Sequence, residues 1–260
     1  MARTAAVWDP AQYLRFANER LRPALDLLAQ VPLDAPAHVV DLGCGAGNVT
    51  AILRQRYPAA EVVGVDNSAS MLDKARAATP DCRFEQADFF QWQPRAAPDL
   101  IYSNAALHWV DRHPVLFPRL LSLLAPTGVL AVQMPMMHDT PLRRLPLEIA
   151  VSGPWAEHLR GIVSAPDVLS PVEYWDLLRP HVASLDMWQT TYMHVLSGEH
   201  AVMEWASGSS LRPFLDKLPQ DQKQAFGQAY SDATRPHYPR RPDGTTLLPF
   251  QRLFMVARKA

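Results

Sequence analysis

Short apolar, β-branched runs recur along the first half of the chain at spacings that leave room for a helix between most of them. "HVVDL" (38–42), "EVVGVD" (61–66), "CRFEQAD" (82–88), "DLIYSNA" (99–105) and "GVLAVQM" (128–134) read as strands. Between the first two, "NVTAILRQRYP" places Val49, Ile52, Leu53 and Tyr57 on one helical face and closes at Pro58. "SASMLDKARAATP" opens on serine caps and stops at Pro80, and "HPVLFPRLLSLLAPTG" is a helix stopped by Pro126 and Gly128. Strand and helix in alternation predict a doubly wound, mostly parallel sheet.

Past Met137 the rhythm breaks. Prolines at 141, 146, 154, 166, 171 and 180 predict short helices and turns forming a cap. "LDMWQTTYMHVL" and "LPFQRLFMVARK" read as two late strands, separated by helical material from about Glu199 to Tyr230 and by the loop "RPHYPRRPDG". Joined in this way, the last two strands are expected to pair antiparallel.

Composition narrows the partners. Among 260 residues, 25 are basic and 26 acidic, which leaves no surplus charge to attract nucleic acid. The sequence offers no apolar stretch of the ~20 residues a membrane helix needs. "MARTAAVWDPAQYLRF" lacks the apolar segment of a secretory signal, so a cytoplasmic location is expected. Cys44 and Cys82 fit neither a metal-ligand spacing nor a disulfide framework, and Cys44 reads as a small packing residue. Monomer and homodimer remain equally compatible with these residues.

The chemistry concentrates in "DLGCGAGN". Gly43, Gly45 and Gly47, set between a strand and a helix, present free backbone N–H groups beyond the carboxyl edge of the sheet. A phosphate-binding loop requires Gly-Lys-Ser/Thr at its end, whereas Asn48 and Val49 follow Gly47. A dinucleotide fingerprint requires glycine where Asn48 stands. Acidic residues follow in step: Asp66 ends the second strand and Asp88 the third.

The run from Asp41 to Gly47 resembles motif I of class I S-adenosylmethionine-dependent methyltransferases. That resemblance implies a Rossmann-like α/β fold, with a seven-stranded, mostly parallel sheet, helices on both faces, an antiparallel last strand and a helical cap. It also implies that Asp41, Gly43, Gly45 and Gly47 surround the cofactor. Asp66 and its neighbour Asn67 would receive the ribose, and Asp88 and Phe89 the adenine. Asn104, Ala105, His108 and Trp109, after the fourth strand, would border the transfer centre, with Asn104 facing the cofactor's amino group. No metal is implied.

Longer stretches are similar to the trans-aconitate 2-methyltransferase family: "WDPAQYLRFANERLRPALDLLAQVP", "ALHWVDRHPVLFPRLLSLLAPTGVLAVQMP", "QTTYMHVL", "SLRPFL" and "LPFQRLFMVAR". The family implies methyl-ester formation on a small tricarboxylate, and such a substrate calls for arginines. The candidates are Arg20, Arg22, Arg160, Arg212, Arg240, Arg241 and Arg252, led by Arg212 because it stands in a matched stretch. Tyr192 and His194 would add donors, and Tyr13 would cover the cofactor. In this reading residues 1–30 are a lid, 31–137 the cofactor-binding core, 138–182 the cap, and 183–260 the late strands with a second cap segment. Gln189 stands where the family pattern suggests arginine. This keeps open a methyltransferase for another small metabolite, with His108 as base, and a non-catalytic S-adenosylmethionine binder.

Overall fold

A computed structural model describes residues 21–137, 139–162 and 168–260. Helix α1 (Arg22–Leu28) precedes strand β1 (His38–Leu42), helix α2 (Asn48–Arg56), β2 (Glu61–Asp66), α3 (Ala69–Ala78), β3 (Arg83–Gln86) and β4 (Leu100–Asn104). A single 3-10 turn (Leu107–Trp109) leads into α4 (His113–Leu123) and β5 (Val129–Pro135). Then come α5 (Pro141–Ala150), α6 (Pro171–Leu178), β6 (Val182–Ser197), α7 (Ala201–Ser207), α8 (Arg212–Leu215), α9 (Gln220–Thr234) and β7 (Thr245–Lys259).

The seven strands form a mixed sheet in the order β3-β2-β1-β4-β5-β7-β6. β1 pairs in parallel with both β2 and β4, so the strand order reverses between β1 and β4. In open α/β sheets ligands bind outside the carboxyl ends of the strands flanking such a reversal. The residues that follow β1 and β4 here are the glycine loop and the segment from Ala105 to Trp109.

The chain divides into two compact units. The first takes the chain up to Met134 together with Val168–Gln189 and Leu253–Ala260. Its parallel strands are buried on both faces: Val39, Leu42, Val65, Leu100, Ile101 and Val129 have no accessible surface. Two buried hydroxyls bond to backbone, Ser103 Oγ donating to Leu42 O at 2.8 Å and Tyr102 Oη to Ala24 O.

The second unit comprises Pro135–Asp167 and Thr190–Arg252. Leu142, Leu145, Trp155, Phe214, Phe226 and Tyr230 lie in its core, where Trp155 meets Phe226 edge-on with ring centroids 5.2 Å apart. Of the stretch read from sequence as one cap, residues 168–182 fall with the first unit. The late strands, at 16 and 15 residues, run beyond the apolar stretches read from sequence, and the outer face of β6 exposes Met193 and Val195 as well as polar residues. No described helix is long and apolar enough to cross a membrane.

Candidate functional site

The loop between β1 and α2 reverses through glycines with φ of +82° at Gly43, +52° at Gly45 and +85° at Gly47. Gly43 and Cys44 donate their N–H groups to the Val65 carbonyl, at 2.7 and 3.0 Å. Gly45 N–H donates to Asp66 Oδ2 at 2.9 Å, while Asp66 Oδ1 accepts from Ser68 N–H, also at 2.9 Å. The half-buried Asp66 carboxylate thus braces the loop against the start of α3, and each oxygen retains acceptor capacity for another donor. A Cβ on Gly43 would stand 2.1 Å from the Ala106 Cβ, whereas one on Gly45 would meet nothing within 4 Å. Gly45 therefore presents bare main chain to open space, a surface on which a ligand can lie directly.

Asp41 faces the other way. It is 1% exposed, and its Oδ2 accepts from Thr50 Oγ1 of α2 at 2.6 Å. Burial pushes its carboxyl up to about 7, with Thr50 opposing and the charge of Asp66 reinforcing the shift. Its side chain joins β1 to α2 beneath the loop and leaves the ligand face to the glycines. Burial, aided by the nearby charges of Asp41 and Asp66, raises the Cys44 thiol far above neutrality, so it stays protonated and packs.

Asp88 lies two residues beyond β3, where its Oδ1 accepts from Phe90 N–H at 2.8 Å and ends the strand early. Asp88 and Asn67 are exposed, while Phe89 is buried with its ring 3.4 Å from where a Cβ on Gly43 would sit. At the end of β4, Asn104 Oδ1 is buried and has no hydrogen-bond partner among the described residues. Such an acceptor is costly to leave unmet, and it suits the donor of a ligand. Ala105 follows with φ of +52°, its N–H held by Gln133 O at 2.9 Å. His108 and Trp109 then lie ring beside ring, with centroids 4.7 Å apart, and Trp109 is 51% exposed.

Sequence reading passed over His113 and Tyr174, two buried residues behind that turn. His113 Nε2 meets Leu107 O at 3.0 Å, and His113 Nδ1 meets Tyr174 Oη at 2.5 Å. The only sequence cue was a second histidine in "HWVDRH".

The arginine candidates fare unequally. Tyr13 and Arg20 lie outside the described residues. Arg22 is exposed, with Asp26 3.9 Å away. Arg160 and Arg212 are also exposed and pair locally, Arg160 with Glu157 at 4.0 Å and Arg212 with Asp216 at 3.6 Å. Arg240 and Arg241 are exposed too, and a backbone bond from Arg241 N–H to Thr245 O holds their loop. In the second unit, strand alternation turns Tyr192 and His194 of β6 inward, as it does Phe250 and Arg252 of β7. Arg252 is 8% exposed, with its guanidinium 4.7 Å from the Phe250 ring centre. Burial lowers its pKa to about 10, with Tyr192 acting the other way, so it remains a cation at neutral pH. Among the described residues, no group of three or more His, Cys, Asp or Glu side chains is arranged to hold a metal ion.

Residues 39–128 match the family model described as a methyltransferase domain. A trans-aconitate 2-methyltransferase of Methylobacterium radiotolerans is 49% identical over 258 residues, covering 98% of this chain and 99% of the relative. One from Azoarcus sp. is 50% identical over 250 residues, covering 96% and 98%. Among solved structures, the YcgJ protein of Bacillus subtilis is similar in fold, with a TM-score of 0.60 at 15% identity, covering 91% of this chain and 97% of that one. A Haemonchus contortus phosphoethanolamine N-methyltransferase in complex with S-adenosylhomocysteine gives a TM-score of 0.55 at 15% identity, covering 92% and 52%. With relatives at this identity over nearly the whole chain, and with a glycine loop after β1, Asp66 ending β2 and a sheet reversal between β1 and β4, the chain belongs to the trans-aconitate 2-methyltransferase family of S-adenosylmethionine-dependent methyltransferases.

Proposed function

We propose that this protein methylates a carboxylate oxygen of trans-aconitate, giving the methyl ester and S-adenosylhomocysteine. The observation that carries the reading is the identity of about half the residues, over nearly the whole chain, with relatives bearing that name. S-adenosylmethionine supplies a methyl group on a positively charged sulfur. The open face of Gly45 and the unmet acceptor of Asn104 fit such a molecule. In this reading Asp66 receives the ribose hydroxyls on its remaining lone pairs, Asp88 and Phe89 take the adenine, and Asn104 Oδ1 accepts from the amino group. His108 and Trp109 border the acid. A carboxylate is already ionised at neutral pH, so the reaction as proposed calls for no general base and no metal. His108 then serves as a donor that orients the acid.

The test is methyl transfer from labelled S-adenosylmethionine to trans-aconitate, cis-aconitate, isocitrate, citrate and simpler unsaturated acids, with products identified by mass. Trans-aconitate methyl ester is the expected product. Turnover of another acid alone would replace the substrate, and tight cofactor binding without turnover of any acid would remove the enzymatic reading.

Asp66→Ala should weaken S-adenosylmethionine binding by about 2 kcal/mol, the worth of two hydrogen bonds to a charged group shared between ribose and loop. Calorimetry checks this, and unchanged affinity would take Asp66 out of the cofactor site.

Of the candidate arginines among the described residues Arg252 alone is buried, and we propose it, with Tyr192 and His194, as a carboxylate-binding set within the second unit. A buried cation with the Tyr192 phenol near it is the chemistry a carboxylate needs, whereas the Arg212 side chain is exposed and already 3.6 Å from Asp216. Arg252→Gln should raise the KM for the acid at least tenfold, as expected for losing about 1.5–3 kcal/mol of charged hydrogen bonding. The Kd for cofactor should stay constant, and Arg212→Ala should leave both unchanged. The reverse pattern would return the role to Arg212.

A further inference from the structure

We propose that His113 and Tyr174 are positioning residues for methyl transfer, a buried pair that locks the Leu107–Trp109 turn and so fixes the two side chains it carries. The inference rests on the reading that His108 and Trp109 border the reacting acid.

The hydrogen bonds fix the state of the ring. A carbonyl only accepts, so the 3.0 Å contact between His113 Nε2 and Leu107 O places the proton on Nε2. Nδ1 of the neutral ring then carries a lone pair, and Tyr174 Oη must be the donor across 2.5 Å. Both nitrogens are engaged, and reversing the tautomer would put Nε2 lone pair against carbonyl oxygen. The pair is closed off from water, with His113 3% and Tyr174 0% exposed. Phe117 packs against both rings, its centroid 5.3 Å from His113 and 5.1 Å from Tyr174. Burial lowers the pKa of His113, in keeping with a ring that stays neutral.

The turn needs an external hold. Two non-glycine residues beside it have left-handed backbone, Ala105 at φ of +52° and Arg112 at +54°, a conformation that side chains disfavour. Within the turn, only single 3-10 bonds close the backbone, from Trp109 N–H to Ala106 O at 3.1 Å and from Val110 N–H to Leu107 O at 3.2 Å. The Leu107 carbonyl thus accepts from both Val110 and His113. Tyr174 comes from α6, whose first turn is fixed by a capping box in which Ser170 Oγ accepts from Glu173 N–H and Glu173 Oε2 accepts from Ser170 N–H. The turn is thereby tied to a helix more than sixty residues away in sequence.

Tyr174→Phe removes only the hydroxyl. We expect a folded protein with Kd for S-adenosylmethionine and KM for trans-aconitate within twofold of the parent, and kcat lower by at least tenfold. Amide hydrogen exchange at Trp109 and Val110 should quicken at least tenfold, with the β1 and β4 amides unchanged. His113→Gln, whose amide can still donate to Leu107 O, should retain more kcat than His113→Leu. Parent-like exchange at Trp109 and Val110 in Tyr174→Phe would overturn the proposal, whatever the substrate proves to be. So would parent-like kcat in both Tyr174→Phe and His113→Leu, or a fall in cofactor affinity as large as that in kcat. Failure of the parent enzyme to methylate trans-aconitate would instead count against the substrate reading, and the exchange measurement would still decide the pair.

Discussion

Gly43→Ala should cost about 3 kcal/mol of stability, a larger loss than alanine at any other position of the glycine loop. Two terms add. At φ of +82° a side chain meets its own backbone, costing about 1 kcal/mol or more. The new methyl would also stand 2.1 Å from the Ala106 Cβ and 3.6 Å from its Cα, and overpacking of this kind costs about 1–3 kcal/mol. Ala106 belongs to the segment that leads into the Leu107–Trp109 turn, so the collision also disturbs the far side of the site. Urea unfolding of Gly43→Ala, Ala106→Gly and the double variant separates the terms. Ala106→Gly removes the colliding methyl and should recover the overpacking part but not the backbone part, giving a coupling of at least 1 kcal/mol. Additive single effects would mean that the two residues do not meet. Gly45→Ala is the contrast: with nothing within 4 Å of its Cβ, it should keep most of the stability and lose cofactor affinity instead.

What could be read from the sequence follows from how local each signal is. β1 and β2 match "HVVDL" and "EVVGVD" residue for residue, because unbroken β-branched runs between turn residues specify a buried parallel strand without reference to anything distant. The third run overreached: β3 ends at Gln86, since the Asp88 carboxylate bonds to Phe90 N–H and turns the chain. The prolines after Met137 carried a second meaning. Pro141 and Pro171 are the first residues of α5 and α6, where a missing N–H costs nothing. "SPVE" at Ser170–Glu173 is a capping box that announced α6.

The glycine loop and its brace at Asp66 were legible because glycines and acids sit at fixed offsets from strands. Which candidate arginine is buried was not, because burial depends on which face of the element is covered. Arg212 stands in a helix of four residues with Asp216 one turn on, a surface arrangement. Arg252 shares a strand face with Leu248 and Phe250, and that period of two was the available sign that it turns inward. The His113–Tyr174 pair joins residues 61 apart, which no local pattern encodes.

Asp41→Asn should reverse its stability relative to the parent as pH rises. The Asp41 carboxyl is raised from 3.8 to about 7 in the folded chain, first by burial and then by the charge of Asp66, with the Thr50 hydrogen bond opposing. Below pH 4 both folded and unfolded chains hold the proton. Between 4 and 7 the unfolded chain releases it while the folded chain keeps it, so each step upward in pH favours unfolding. The stability this residue contributes is fully present at low pH and is lost as pH rises through about 7. A shift of this size corresponds to a loss on the order of 4 kcal/mol. Asparagine cannot ionise, and its oxygen can still accept from Thr50, but its amide buries two N–H donors where the protonated carboxyl carries one O–H, at a cost of about 1–3 kcal/mol. The parent should therefore be the more stable at pH 4 and the variant equal or better at pH 8, by chemical denaturation at both. Taking the difference between the two proteins cancels groups they share, including His113, whose lowered pKa works in the opposite sense by removing stability as pH falls below the ordinary histidine range. Parallel stability curves would mean that Asp41 ionises alike in both states and that a second negative charge faces Asp66 under the glycine loop.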